Sequence, residues 1–132
     1  SRIAQHVKFI KDIERKYAII HPWLPKKTYD KNLYLLKKHH EVSNIRLDYL
    51  NLLYESKFNI KEYFKVSKLK KDTKNEIEKP YYENHIDQII YSLENFTNDL
   101  EKKLELLVCE NNLYRAMEIT ENHIAPEKPT KW

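Results

Sequence analysis

Between Ile86 and Tyr114 the apolar residues fall on a seven-residue ruler, with Ile86, Leu93, Leu100, Leu107 and Tyr114 at equal intervals. Tyr82, Ile89 and Phe96 fill a second position, so the spacing alternates between three and four residues. A helix turns once in about 3.6 residues, so this alternation keeps one narrow apolar stripe against a neighbour along its length. No proline or glycine interrupts Tyr81 to Ile124. The stretch therefore predicts a long helix over 80–124, with the rest of the chain arranged around it as further helices.

The same pattern predicts a disturbance. Past Leu100 the second-seam positions hold Lys103 and Glu110, while Leu104 and Val108 come one place later. Such a shift reads as a stutter in the stripe. Forty-four helical residues would extend about 66 Å, whereas a compact domain of this size is about 40 Å across. Either the helix changes direction near Asn111-Asn112 or the molecule is elongated.

The chain contains no glycine among its 132 residues. Phosphate-cradling loops and dinucleotide fingerprints need glycine for positive φ and close backbone approach, so those sites are excluded. Tightly turned β architecture is disfavoured for the same reason. An apolar content of 41% and a charged content of 33% suit amphipathic helices. The length suffices for a core without disulfides or metal.

In chain order, Ile3, Val7, Ile10 and Tyr17 form one stripe of a helix over 2–20, which Phe9, Ile13 and Ile20 widen. Pro22 and Pro25 end it at a stiff corner. Trp23, between them, reads either as a plug over the bundle end or as an exposed anchor for a partner. A second helix is expected over 26–56, opening near Pro25–Thr28. Its segment from Ile45 to Tyr54 carries Leu47, Tyr49, Leu50, Leu52 and Leu53 on nearly every side, the signature of a helix covered on nearly every side. Contact with a second chain is expected there.

At Ser56–Asn59 the apolar phase is lost, and Asn59-Ile60-Lys61-Glu62 has capping-box spacing. This predicts a short helix over 59–70 with Ile60, Tyr63 and Phe64 inward; the alternative is one unbroken helix as far as Leu69. Lys70–Lys79 reads as a solvated, mobile loop, and Pro80 suits the first turn of the long helix. The expected fold is all-α: an elongated antiparallel bundle of three to four main helices, the C-terminal one longest. Residues 1–124 read as one helical domain, and 125–132 as an extended C-terminal arm. Opening on Ser1 rather than Met, the chain reads as a processed form or a fragment.

Net charge is only +4, but residues 1–38 carry ten basic and three acidic groups, and residues 57–74 carry seven and two. Residues 75–124 carry four basic and eleven acidic groups. The acidic long helix is thus expected to lie beside the basic segments of its own chain, with a basic surface for nucleic acid as the sharper alternative. Lys57, Lys61, Lys65, Lys68, Lys70 and Lys71 are the candidate phosphate contacts. Without Arg or a recognition motif, such binding would be nonspecific and salt-sensitive.

No catalytic or metal constellation stands out. None of the six histidines has a partner at metal-ligand spacing on one helix face, and no Glu-x-x-His pair occurs. Cys109 lies beside Glu110, without the positive environment that activates a thiol. As the lone cysteine it fits a reducing, intracellular compartment, with nucleus, cytoplasm and organelle matrix indistinguishable. No apolar run reaches the length of a membrane span.

The expected function is a non-catalytic structural or adaptor subunit, without cofactor. It would bind other protein subunits, or a second copy of itself, through helix packing. Candidate contact residues are Trp23, Leu47, Leu50, Tyr54, Tyr114, Met117 and Trp132. The alternative is a basic nucleic-acid-associated subunit of a ribonucleoprotein or chromatin complex.

Overall fold

The structure of the chain, a computed structural model, describes residues 2–26 and 32–124, with side chains described as far as residue 120. Three α-helices account for nearly all of it: α1 (Arg2–Ile20), α2 (Leu33–Asp72) and α3 (Lys79–Ile124), with a short 3-10 turn at His21–Trp23 after α1. The fold is an all-α bundle, with no strand among the described residues. At 1.5 Å per residue α2 and α3 are about 60 and 69 Å long, so the bundle is elongated. The expected arm over 125–132, with Trp132, lies outside the described residues.

Buried side chains form three clusters down the bundle, and these fix the helix directions. Ile3 meets Val66 and Ile89, Ile90 and Leu93 at the hairpin end. Ile10 and Ile13 meet Tyr49, Leu100 and Leu104 in the middle. Leu24, Leu35, Val42, Leu107 and Tyr114 close the distal end. Hence α1 runs parallel to α3, and α2 runs antiparallel to both. The third layer ends where α1 ends, and beyond it α2 and α3 continue as a pair.

The α2–α3 seam keeps its heptad spacing without a shift. On α3, Leu93, Thr97, Leu100, Leu104, Leu107, Asn111 and Tyr114 are all buried, at alternating steps of four and three. The second seam line thus runs through Ile90, Thr97, Leu104 and Asn111 rather than through Phe96, Lys103 and Glu110. No stutter occurs, and α3 does not break at Asn111-Asn112. On α2, Leu35, Val42, Tyr49 and Ser56 are buried at intervals of seven. Polar residues at Ser56, Thr97 and Asn111 hide this regularity from a search for apolar residues alone.

The expected break at Ser56–Asn59 is absent as well, because Ser56 is accommodated within the helix. Its hydroxyl donates back to the Leu52 carbonyl at 2.8 Å, and the helix continues. Thr97 does the same towards the Glu94 carbonyl at 3.0 Å. The start of α2 also moves, from the Pro25–Thr28 region to Leu33. There the Asn32 side chain accepts from the Leu35 amide at 3.0 Å and caps the helix.

The α2–α3 connection is shorter than 70–79 and held by its own hydrogen bonds, contrary to a loose loop. The Asn75 side chain accepts from the Ile77 amide at 2.9 Å, and the Thr73 hydroxyl donates to Glu78 at 3.2 Å. The Glu78 carbonyl accepts from Tyr81 at 3.1 Å, opening α3 with Pro80 inside its first turn.

Candidate partner-binding surface

The sequence candidates divide by burial. Tyr114 is fully buried in the distal cluster, where its ring faces His39 edge-on at 6.2 Å and its hydroxyl donates to Glu118 at 3.1 Å. It is a core residue of this chain, because the seam turns it towards α2. Met117 is half-buried against the same cluster. Trp23 is 57% exposed, with the Arg115 guanidinium 5.2 Å from its ring centroid. The plug of the distal end is Leu24, next to it, which is buried against Leu35 and Leu107.

Leu47, Leu50 and Tyr54 form a different group. Spaced by three and four residues, they share the outer face of α2, and their exposures run from 40% at Leu50 to 71% at Tyr54. The alternation that places Tyr49 fully inside places these three outside. Phe58 and Phe64 extend the exposed set towards the hairpin. Phe64 corrects the expectation that it points inward. Once α2 is continuous through Ser56, the seam passes through Tyr63 and Val66, which leaves Phe64 on the outer side. No apolar-only pattern reveals this, because the phase of the seam rests on a buried serine.

The lysine candidates also separate. Lys57 donates to Glu14 of α1 at 2.7 Å, and Lys70 sits 3.3 Å from Glu83 of α3. These two are structural links between helices. Lys61, Lys65, Lys68 and Lys71 are exposed and carry no ion pair among the described residues. Lys61 and Lys68 lie one turn either side of Phe64, so cation, aromatic and cation follow one another along the face.

Ion pairs tie the acidic long helix to its basic neighbours: Arg2 with Glu94, Lys38 with Glu110 at 2.5 Å, and Lys70 with Glu83. Lys103 of α3 with Asp48 of α2 at 3.3 Å runs the opposite way, and Lys57 with Glu14 joins α2 to α1. Most are solvent-exposed and contribute about 0–1 kcal/mol each. Lys38 is the most sheltered. Hydrogen bonds from it to Glu110, and to Glu41 at 2.6 Å, push its pKa above the ordinary lysine value.

Beside this pair, the Nδ1 of His39 and the Oδ1 of Asn111 are buried without a hydrogen-bond partner among the described residues. Burial, followed by the neighbouring His40 and Arg46, lowers the His39 pKa. In the middle cluster the Tyr49 hydroxyl is likewise buried and unpartnered, with its ring stacked on Tyr17 at 4.6 Å. Desolvation, then the charge of Glu14, raises the Tyr49 pKa.

Among the described residues no group of three or more His, Cys, Asp or Glu side chains is placed to hold a metal ion. Cys109 is exposed on α3. A recess of about 510 Å³ between α2 and α3 is lined by Asp48, Glu55, Asp99, Lys102 and Lys103 with Leu52 and Leu106. Its carboxylates and ammonium groups compose no nucleophile–base pair. No helix among the described residues is long and apolar enough to cross a membrane. Comparison with protein-family models, with curated proteins and with solved structures finds no match for this chain.

Proposed function

We propose that the chain is a non-catalytic subunit of a larger assembly, joining protein partners through helix packing on the outer face of α2. The observation that supports this reading is the row Leu47, Leu50, Tyr54 and Phe58, with Phe64 on the flank towards α1, all substantially exposed on a helix whose opposite side is core. Single exposed apolar residues are ordinary, but an aligned aromatic and aliphatic row on one helix is what docking surfaces use. A photo-crosslinking residue at Tyr54, compared with one at the exposed polar position Asn98 on α3, tests it in the native source. A discrete protein adduct from position 54 and none from position 98 is the expected result. Equal yields, or none from either, would contradict it.

A second reading, a phosphate-binding surface for nucleic acid, is supported by the unpaired run Lys61, Lys65, Lys68 and Lys71. Four phosphate contacts would make log K fall with log salt at a slope of about −3 to −4. No retention of RNA or DNA even at low salt would sink it.

A further inference from the structure

The boundary of α1 and α2 holds two recesses, the second of which His21 of the 3-10 turn also lines. At the hairpin end, Ile3, Ala4, Val7 and Phe64 floor a recess of about 690 Å³. Nearer the corner, Tyr17 of α1 faces Leu47 and Leu50 of α2 across one of about 380 Å³. From Ala4 to Tyr17 the α1 wall extends about 20 Å, close to four helical turns. Cations line or flank both: Lys8, Lys11 and Arg15 line the first recess, Arg46 lines the second, and Lys61 and Lys68 lie one turn either side of Phe64. Asp12 pairs with Arg15 and Glu14 with Lys57, which leaves Lys8 and Lys11 of α1 without an ion pair among the described residues.

Apolar side chains at both ends, with Phe64 in one and Tyr17 in the other, and positive charge beside them complement one kind of surface. We infer that this channel takes an acidic amphipathic helix of a partner protein, seated as a fourth helix of the bundle. Apolar residues at helical spacing fill the two recesses, and flanking carboxylates meet the lysines. The chain's own acidic helix is a poor occupant, because its apolar stripe from Leu93 to Tyr114 is consumed in its own core. Nucleic acid fits less well, since Ile3, Val7, Leu47 and Leu50 are aliphatic and the two rings, Phe64 and Tyr17, stand one in each recess rather than as a stacking platform.

This inference rests on the assembly-subunit reading and is tested apart from it. The probe is a fluorescein-labelled, helical peptide of about 18 residues with leucines spaced by three and four and glutamates on both flanks. Titrated into the full chain at physiological salt, it is expected to bind saturably in the micromolar range. Phe64→Glu and the pair Lys8→Glu with Lys61→Glu should each weaken binding by more than about tenfold. All three positions are exposed, so helical content and melting temperature should stay at the parent values. The same peptide with lysines for glutamates should not bind.

Three outcomes overturn the inference: equal binding by a scrambled peptide of identical composition, parent-like binding by both variants, or tighter binding by single-stranded RNA that displaces the peptide. If position 54 still crosslinks a protein in that event, the subunit reading stands and only the channel's ligand is wrong.

Discussion

The two ends of this bundle use the same seam under different conditions. From the hairpin to the middle, α1 lies over α2 and α3, and the clusters around Ile3 and Ile10 are built from apolar side chains of three helices. Past the end of α1, α2 and α3 pair alone, with Leu24 as the cover. In this thinner part the polar groups are the Lys38–Glu110 pair, His39, and Asn111 with its unpartnered oxygen, whereas the three-helix part holds the hydroxyls of Ser56, Thr97 and Tyr49. Under the third helix the seam's polar groups are hydroxyls, and those of Ser56 and Thr97 are satisfied on their own helix. Where that helix stops, a partly exposed ion pair and a buried Asn share the seam, groups that can fix register at some loss of stability.

The comparison breaks most visibly through cavities. Leu100→Ala, in the three-helix region, should lower stability by about 4 kcal/mol, since all sides of the cavity are rigid. Leu35→Ala, at the distal end, should lower it by about 2 kcal/mol because the thinner end can relax. Urea denaturation of both variants checks the pair, and equal losses would erase the distinction between the ends.

Filling the polar seam works in the opposite direction. Asn111→Leu removes a buried unpartnered oxygen and should raise stability by about 1–2 kcal/mol. A loss of similar size would mean that Asn111 contributes a contact its burial does not suggest. Tyr49→Phe, in the apolar middle, should gain about 1 kcal/mol by removing an unpartnered hydroxyl while keeping the stack on Tyr17.

The smallest expected effect is with pH. His39 has its folded-state pKa lowered below 6.5, so the unfolded chain binds the proton more readily. The stability it contributes is whole above pH 6.5 and declines as pH falls below it. His6, also lowered by burial and then Arg2, adds in the same direction. Denaturation at pH 7.5 and 5.5 should show a smaller difference for His39→Gln than for the parent; an unchanged difference would remove His39 from the account.

Much of the architecture was legible in the residues. An absence of glycine and a three–four apolar spacing dictate helices, and the prolines at 22 and 25 dictate a corner. What could not be read was the phase of the seam where polar residues occupy it. Ser56 and Thr97 satisfy their hydroxyls on their own helix, so they behave as small core residues. A search for apolar residues instead finds a break at 56–59 and a stutter after Leu100. The same phase error turns Phe64 inward, although it is exposed. The exposure of Leu47, Leu50 and Tyr54 follows from a surplus of apolar residues around Tyr49 and Leu53 that one seam cannot bury. The distinction among the lysines was not legible, since the partners of Lys57 and Lys70, Glu14 and Glu83, are distant in sequence.

The most direct test of the central claim is the mass of the native species. The chain, isolated from its source under gentle conditions, should run in an assembly well above its own 16.1 kDa. Leu50→Glu with Tyr54→Glu should release it while leaving the helical signal unchanged. A well-folded parent chain that runs at 16.1 kDa, with no partner, would contradict the claim.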